Sequence, residues 1–117
     1  VLRNSDPNGC SSETRGVWGG GSAGTGGDKL EYLTIASTGN ATSFGDLNST
    51  VVYYGPASCG SNTRGLWTSG TGWPGGAHNT VVYVTIASTG NAQDFGDLAY
   101  APRYHPTACS TGHGGLQ

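Results

Sequence analysis

Methionine is absent from this sequence, and lysine and glutamate are few. Charged residues make up only 10% of the chain. The usual helix formers are therefore scarce, and no 3.6-residue apolar period runs through the chain. That lack predicts mainly β-structure, with no helix longer than one or two turns. The formal net charge is −2, which removes the electrostatic case for a nucleic-acid partner. No apolar run approaches the roughly 20 residues of a membrane-spanning helix, so no membrane partner is expected. No GxSxG, no HExxH and no close carboxylate pair occurs, and no CxxC or Cys/His spacing supports a metal. The expectation is a non-enzyme with no cofactor. No signal peptide is visible, and Val1 opens in mid-pattern, as a fragment or a processed form would.

What is abundant is glycine, 22 residues of 117, together with Ser and Thr. Low charge combined with Val, Ile, Leu, Tyr and Trp argues against disorder. The chain repeats itself. Thr34-Ile35-Ala36-Ser37-Thr38-Gly39-Asn40-Ala41 returns as Thr85-Ile86-Ala87-Ser88-Thr89-Gly90-Asn91-Ala92, and Phe44-Gly45-Asp46-Leu47 returns as Phe95-Gly96-Asp97-Leu98, both 51 residues on. Cys10 with Thr14-Arg15-Gly16-Val17-Trp18 matches Cys59 with Thr63-Arg64-Gly65-Leu66-Trp67, 49 residues on. The 14 residues from Thr34 agree with those from Thr85 at 12 positions, which chance does not produce. A third copy starts at Cys109. The expected organisation is repeat 1 over 1–47, repeat 2 over 48–98, and a partial repeat 3, first strands only, over 99–117.

Each unit reads as four short strands. The first is expected around Val51 to Ser58, with counterparts before Cys10 and Cys109. The second is Arg15 to Gly20 or Arg64 to Thr68, and Gly-rich loops follow. The third is Leu30 to Ala36 or Thr80 to Ala87. Val81-Val82-Tyr83-Val84 is apolar on both faces, as a strand buried between layers requires. Ser37-Thr38-Gly39-Asn40 supplies turn chemistry. The fourth strand is Ala41 to Leu47 or Ala92 to Leu98. Four strands in about 50 residues is the size of one β-propeller blade. Two such units do not close a propeller, which typically takes about four to eight blades.

The order of residues resembles the kelch repeat. Val17-Trp18-Gly19-Gly20 stands for its glycine doublet, Tyr32 for the tyrosine that follows, and Phe44 for its usual tryptophan. Three departures accompany the likeness. The stretch from Tyr32 to Phe44 is long, Thr68-Ser69 replaces the doublet in the second unit, and Phe replaces Trp in both. The wording of the repeat is also similar to Gly/Thr-rich arrays in predicted structural proteins of phages and uncultured microbes. The resemblance implies an all-β chain of tandem, four-stranded, kelch-like blades that is incomplete as a single closed propeller.

Candidate site residues fall into three groups. The first is structural. Cys10, Cys59 and Cys109 hold one place per unit, where a small apolar residue at a crowded position is the main reading. A disulfide to a neighbour and a metal site are the alternatives. Arg15 and Arg64 precede the second strand, and Asp46 and Asp97 end the fourth. An Arg–Asp pair or a turn-capping carboxylate is expected of them, against a ring of ligand-binding charges. The second group is ligand-binding, with Trp73 and His78 in a loop that does not repeat. His105, beside Tyr104, and His113 read as loop residues. The third group is the sequons at Asn40 and Asn48, candidate glycosylation sites.

The functional expectation is a non-catalytic structural or adhesive repeat module of a larger assembly, of the phage tail or extracellular fibre type. Its location would be extracellular or in a virion. Its partners would be other copies of itself, or further repeats of a longer chain, with surface glycans as a further class. The alternatives are a propeller module that binds a carbohydrate or protein, and a piece of a kelch-type enzyme domain. The two ends of the chain carry the same strand positions, so they are expected at contacts between copies.

Overall fold

The computed structural model describes residues 7–21, 27–48, 55–69, 71–72, 76–102 and 106–110. They form two four-stranded antiparallel sheets and one small hairpin, with no helix among the described residues. The first sheet is a meander of β1 (Asn8–Ser11), β2 (Arg15–Gly19), β3 (Lys29–Thr34) and β4 (Thr42–Asp46). The second repeats it with β5 (Ser58–Gly60), β6 (Arg64–Thr68), β9 (Thr80–Thr85) and β10 (Gln93–Asp97). Between β6 and β9 stand β7 (Thr71–Gly72) and β8 (Gly76–Ala77), which pair only with each other. The all-β expectation and the four-stranded unit are therefore met, and the two sheets do not close a ring.

Repeated sequence makes repeated turns. Between β1 and β2, Ser12 N–H donates to Arg15 O at 2.9 Å, and Arg15 N–H donates to Ser12 Oγ at 3.1 Å. Ser61 and Arg64 make the same pair of bonds at 2.8 and 3.2 Å. The β3–β4 and β9–β10 connections match likewise, with Ile35 N–H on Thr14 O and Ile86 N–H on Thr63 O, each at 2.9 Å. The β3–β4 ladder shifts opposite Leu30 and Glu31, where Phe44 is the extra residue of β4, and the β9–β10 ladder shifts between Asp94 and Gly96, where Phe95 is the extra residue of β10. Each shift is a bulge of one residue that lets Phe44 or Phe95 break the alternation of its strand.

The first strand of each unit is a correction. It was expected to end at or before the cysteine. It lies later and contains Cys10 or Cys59 in its middle. Pro56 has no N–H to give a ladder, and Gly55 has φ 67°, so the chain becomes extended only from Ser58. The stretch 51–54 lies outside the described residues. The β7–β8 hairpin differs from the expected Gly-rich loop that carries Trp73 and His78, and its strands of two residues each are too short to show any alternation.

The sheets stack face to face. One face of the first sheet supplies Val17, Leu30 and Phe44, with Leu47 just beyond β4. The facing side of the second sheet supplies Trp67, Val82 and Val84, with Ile86 just beyond β9. Together these eight residues are the buried core, and Cys10, Tyr32 and Ala92 pack against it. Val81 is buried on the opposite side of β9, so this strand is apolar on both faces as its sequence requires. The core thus lies between units.

Candidate functional site

Among the described residues, both units contribute repeated residues to the interface between them. It is asymmetric. The first unit offers the face of Cys10, Val17 and Leu30, and the second offers the reverse face of its own sheet. The same side of the two sheets therefore points in the same direction.

At the near end the first strands meet. Ser58 Oγ donates to Gly9 O at 2.7 Å, and Asn8 Nδ2 donates to Pro56 O. Cys10 lies over two glycines of the second unit. A Cβ on Gly65 would run into Cys10 Sγ and stand 2.8 Å from the Trp67 ring, and one on Gly60 would stand 3.1 Å from Cys10 Cβ. Glycine is needed there for close approach. Burial, and after it the neighbouring Cys59, push the Cys10 thiol pKa up to about 12. Cys10 and Cys59 are unbridged and half-buried, and Cys109 is unbridged and exposed.

At the far end the turn after Ile86 docks on the edge of β4. Gly90 N–H donates to Phe44 O and Ala92 N–H to Asp46 O, both at 2.8 Å. Asn91 Oδ1 accepts from Asp46 N–H at 3.0 Å. The turn thus reads three groups of the β4 backbone, and a Cβ on Gly45 would strike the Gly90 carbonyl. Midway, Arg15 Nη1 donates to Ile86 O at 3.0 Å while its guanidinium lies 4.7 Å from the centre of the Tyr32 ring. Tyr32 in turn meets Phe44 edge-on at 5.8 Å.

Arg64, Tyr83 and Phe95 repeat the same stack in the second unit, at 4.8 Å and 6.0 Å. The arginines therefore serve tyrosine rings, and the expected Arg–Asp pair does not form among the described residues. Asp46 instead accepts from Lys29 Nζ at 2.8 Å. Lys29 is held above its ordinary pKa first by that hydrogen bond. In the second unit Thr80 occupies the lysine's place, so Asp97 has no such cation across the ladder.

The remaining sequence candidates do not converge. Trp73, Tyr104, His105 and His113 lie outside the described residues. His78 is half-buried, and its carbonyl accepts Ser69 Oγ. Ser69, which stands where the first unit has a glycine, is itself fully buried. Asn40 sits in the exposed turn that repeats the docking turn, and Asn48 is exposed just after Leu47. No three potential metal ligands cluster among the described residues. Sequence reasoning missed the role of Asn91 and Gly90. The near-identity of 34–47 and 85–98 was the signal, because an invariant turn in a glycine-rich chain marks a backbone-reading contact.

No protein-family model matches this chain, and no curated protein or solved structure matches it either.

Proposed function

We propose that this chain is a non-catalytic structural repeat module, whose task is to stack its four-stranded units into a larger assembly. One observation carries the reading: within the segments that recur most faithfully, Thr34 to Leu47 and Thr85 to Leu98, Phe44 to Leu47 of the first unit and Ile86 to Ala92 of the second hold one unit on the other. Selection for an active site or a ligand pocket would favour the loops, where the units differ most. Selection for stacking favours the interface itself, and the energy of such arrays is the sum of unit and neighbour terms. A kelch-like blade is the architecture that the sequence suggests for each unit. The setting favoured by the wording of the repeat is an extracellular or virion fibre, in which surface glycans are a second class of partner.

The test is a designed array of four to eight joined copies of 48–98, imaged by negative-stain electron microscopy. Ordered rings or rods of constant width are expected. Independent beads on a string, each unit folded without touching the next, would overturn the reading.

A further inference from the structure

The interface between the two units has an acceptor half and a donor half, and among the described residues each half recurs on an outer face, with Val81 of the second acceptor set already buried. The acceptor half repeats on the outer face of the second sheet. There Cys59, Leu66, Val81, Phe95 and Leu98 hold the places of Cys10, Val17, Leu30, Phe44 and Leu47. Phe44 is 3% exposed and Phe95 is 53% exposed. With Ala108 at its rim, this face lines a cavity of about 370 Å³. At Gly45 a side chain would strike Gly90, whereas at Gly96 nothing stands within 4 Å. The donor half repeats on the outer face of the first sheet. Ile86 is fully buried and Ile35 is 54% exposed. The turn of Gly39, Asn40 and Ala41, identical to Gly90, Asn91 and Ala92, is exposed or nearly so.

We infer that a second copy of this chain docks its first unit on the second unit of the first copy, in the geometry already seen within one chain. This deepens the structural reading above and rests on it. In the docked pair, Gly39 and Ala41 N–H of the incoming copy donate to Phe95 O and Asp97 O. Its Asn40 Oδ1 accepts from Asp97 N–H, and Arg64 reaches its Ile35 O. The contact joins unlike faces, so every added copy presents a new acceptor face and the series stays open unless its rotation closes.

Two features set its strength. Glu31 stands where Val82 is buried, so the incoming face carries one carboxylate that docking desolvates. Residues 106–110 lie beside β5, where Ser110 Oγ donates to Gly60 O. The incoming β1 needs the same place. It is paired with β2 at four positions, whereas 106–110 pair with no strand, so the terminal segment yields.

Sedimentation velocity of the full chain over a wide concentration range tests this. Dimers and longer species that dissociate on dilution are expected. Ile35→Asp, which spoils the donor half, and Phe95→Asp, which spoils the acceptor half, should each give monomers. Both positions are exposed, and circular dichroism would verify that each variant keeps its β-fold. An equimolar mixture of the two should then form a heterodimer and nothing longer, because each retains the half that the other lacks. Glu31→Val should tighten association about tenfold. A wild-type chain that stays monomeric throughout, oligomers that survive both substitutions, or a mixture that stays monomeric would each overturn the inference. The designed arrays could still stack in any of those cases, so the two readings fail separately.

Discussion

Cys10 and Gly65 illustrate how the interface works at the scale of single residues. The thiol fills a space that any larger side chain on the opposing glycine would take. Gly65→Ala should therefore overpack the contact and cost about 1–3 kcal/mol, measured by urea unfolding. Gly16→Ala, the same change at the repeat position in the first unit, meets only the Trp18 ring, at 3.4 Å, and should cost less. The thiol itself is held protonated by burial, with a pKa pushed up to about 12. Its folded pKa lies above that of an unfolded thiol. Its contribution to stability is complete below the unfolded value and is lost as pH rises through about 12. Alkylation followed by mass spectrometry should find exposed Cys109 modified first at pH 8, with Cys10 protected until the chain unfolds. Equal rates at the two sites would remove the packing role given to Cys10. By contrast, the Lys29–Asp46 bridge is exposed on both sides. Replacing Lys29 with Thr, as the second unit has, should leave the urea unfolding midpoint almost unchanged, because solvent screens an exposed pair.

At the scale of elements, one sequence occupies two environments. Ile35 and Ile86 follow equivalent strands and make the same backbone hydrogen bond, yet only Ile86 is buried. Ile86→Ala should cost about 2–5 kcal/mol, and Ile35→Ala within about 0.5 kcal/mol, at concentrations where the chain is a monomer. Phe44 and Phe95 should differ in the same sense. Asn91→Ala removes the acceptor for Asp46 N–H and should cost about 0.5–1.5 kcal/mol, whereas Asn40→Ala should be silent in the monomer. Equal effects within either pair would mean that the two sheets do not pack as described. These pairs also mark what the sequence made legible. Strands two, three and four could be read because they repeat and because β9 is apolar on both faces. The first strand could not, because its short Asn-Gly-Cys-Ser segment has no hydrophobic alternation and draws its order from β2 and the neighbouring unit. Arg15 was visible as a repeated residue, but its choice of the Tyr32 ring over Asp46 depends on strand register. The docking turn was legible as a turn, and its hydrogen bonds to β4 were not.

At the scale of the whole molecule, the two units bury one interface and leave Ile35 and Phe95, its repeat positions on the two outer faces, exposed. Repeat arrays gain stability with each neighbour contact, and about three units are generally needed for a well-buried core. The two described units share one such contact, so association should show as stability. A partner present at about 100 times its dissociation constant adds about 2.7 kcal/mol. With an unfolding entropy of about 2.1 cal/mol/K per residue, each kcal/mol moves the melting temperature of a 117-residue chain by about 4 °C. The melting temperature of the wild-type chain should therefore rise by roughly 10 °C between concentrations far below the dissociation constant and about 100 times above it. The Phe95→Asp chain should melt at one temperature throughout, because it can offer its donor half but accept nothing. The Ile35→Asp chain should behave in the same way from the other side. An equimolar mixture should recover part of the rise, since one contact forms where the wild type forms many. Differential scanning fluorimetry on the four samples separates stabilisation by docking from nonspecific crowding, which would raise all four curves together and by well under about 1 kcal/mol.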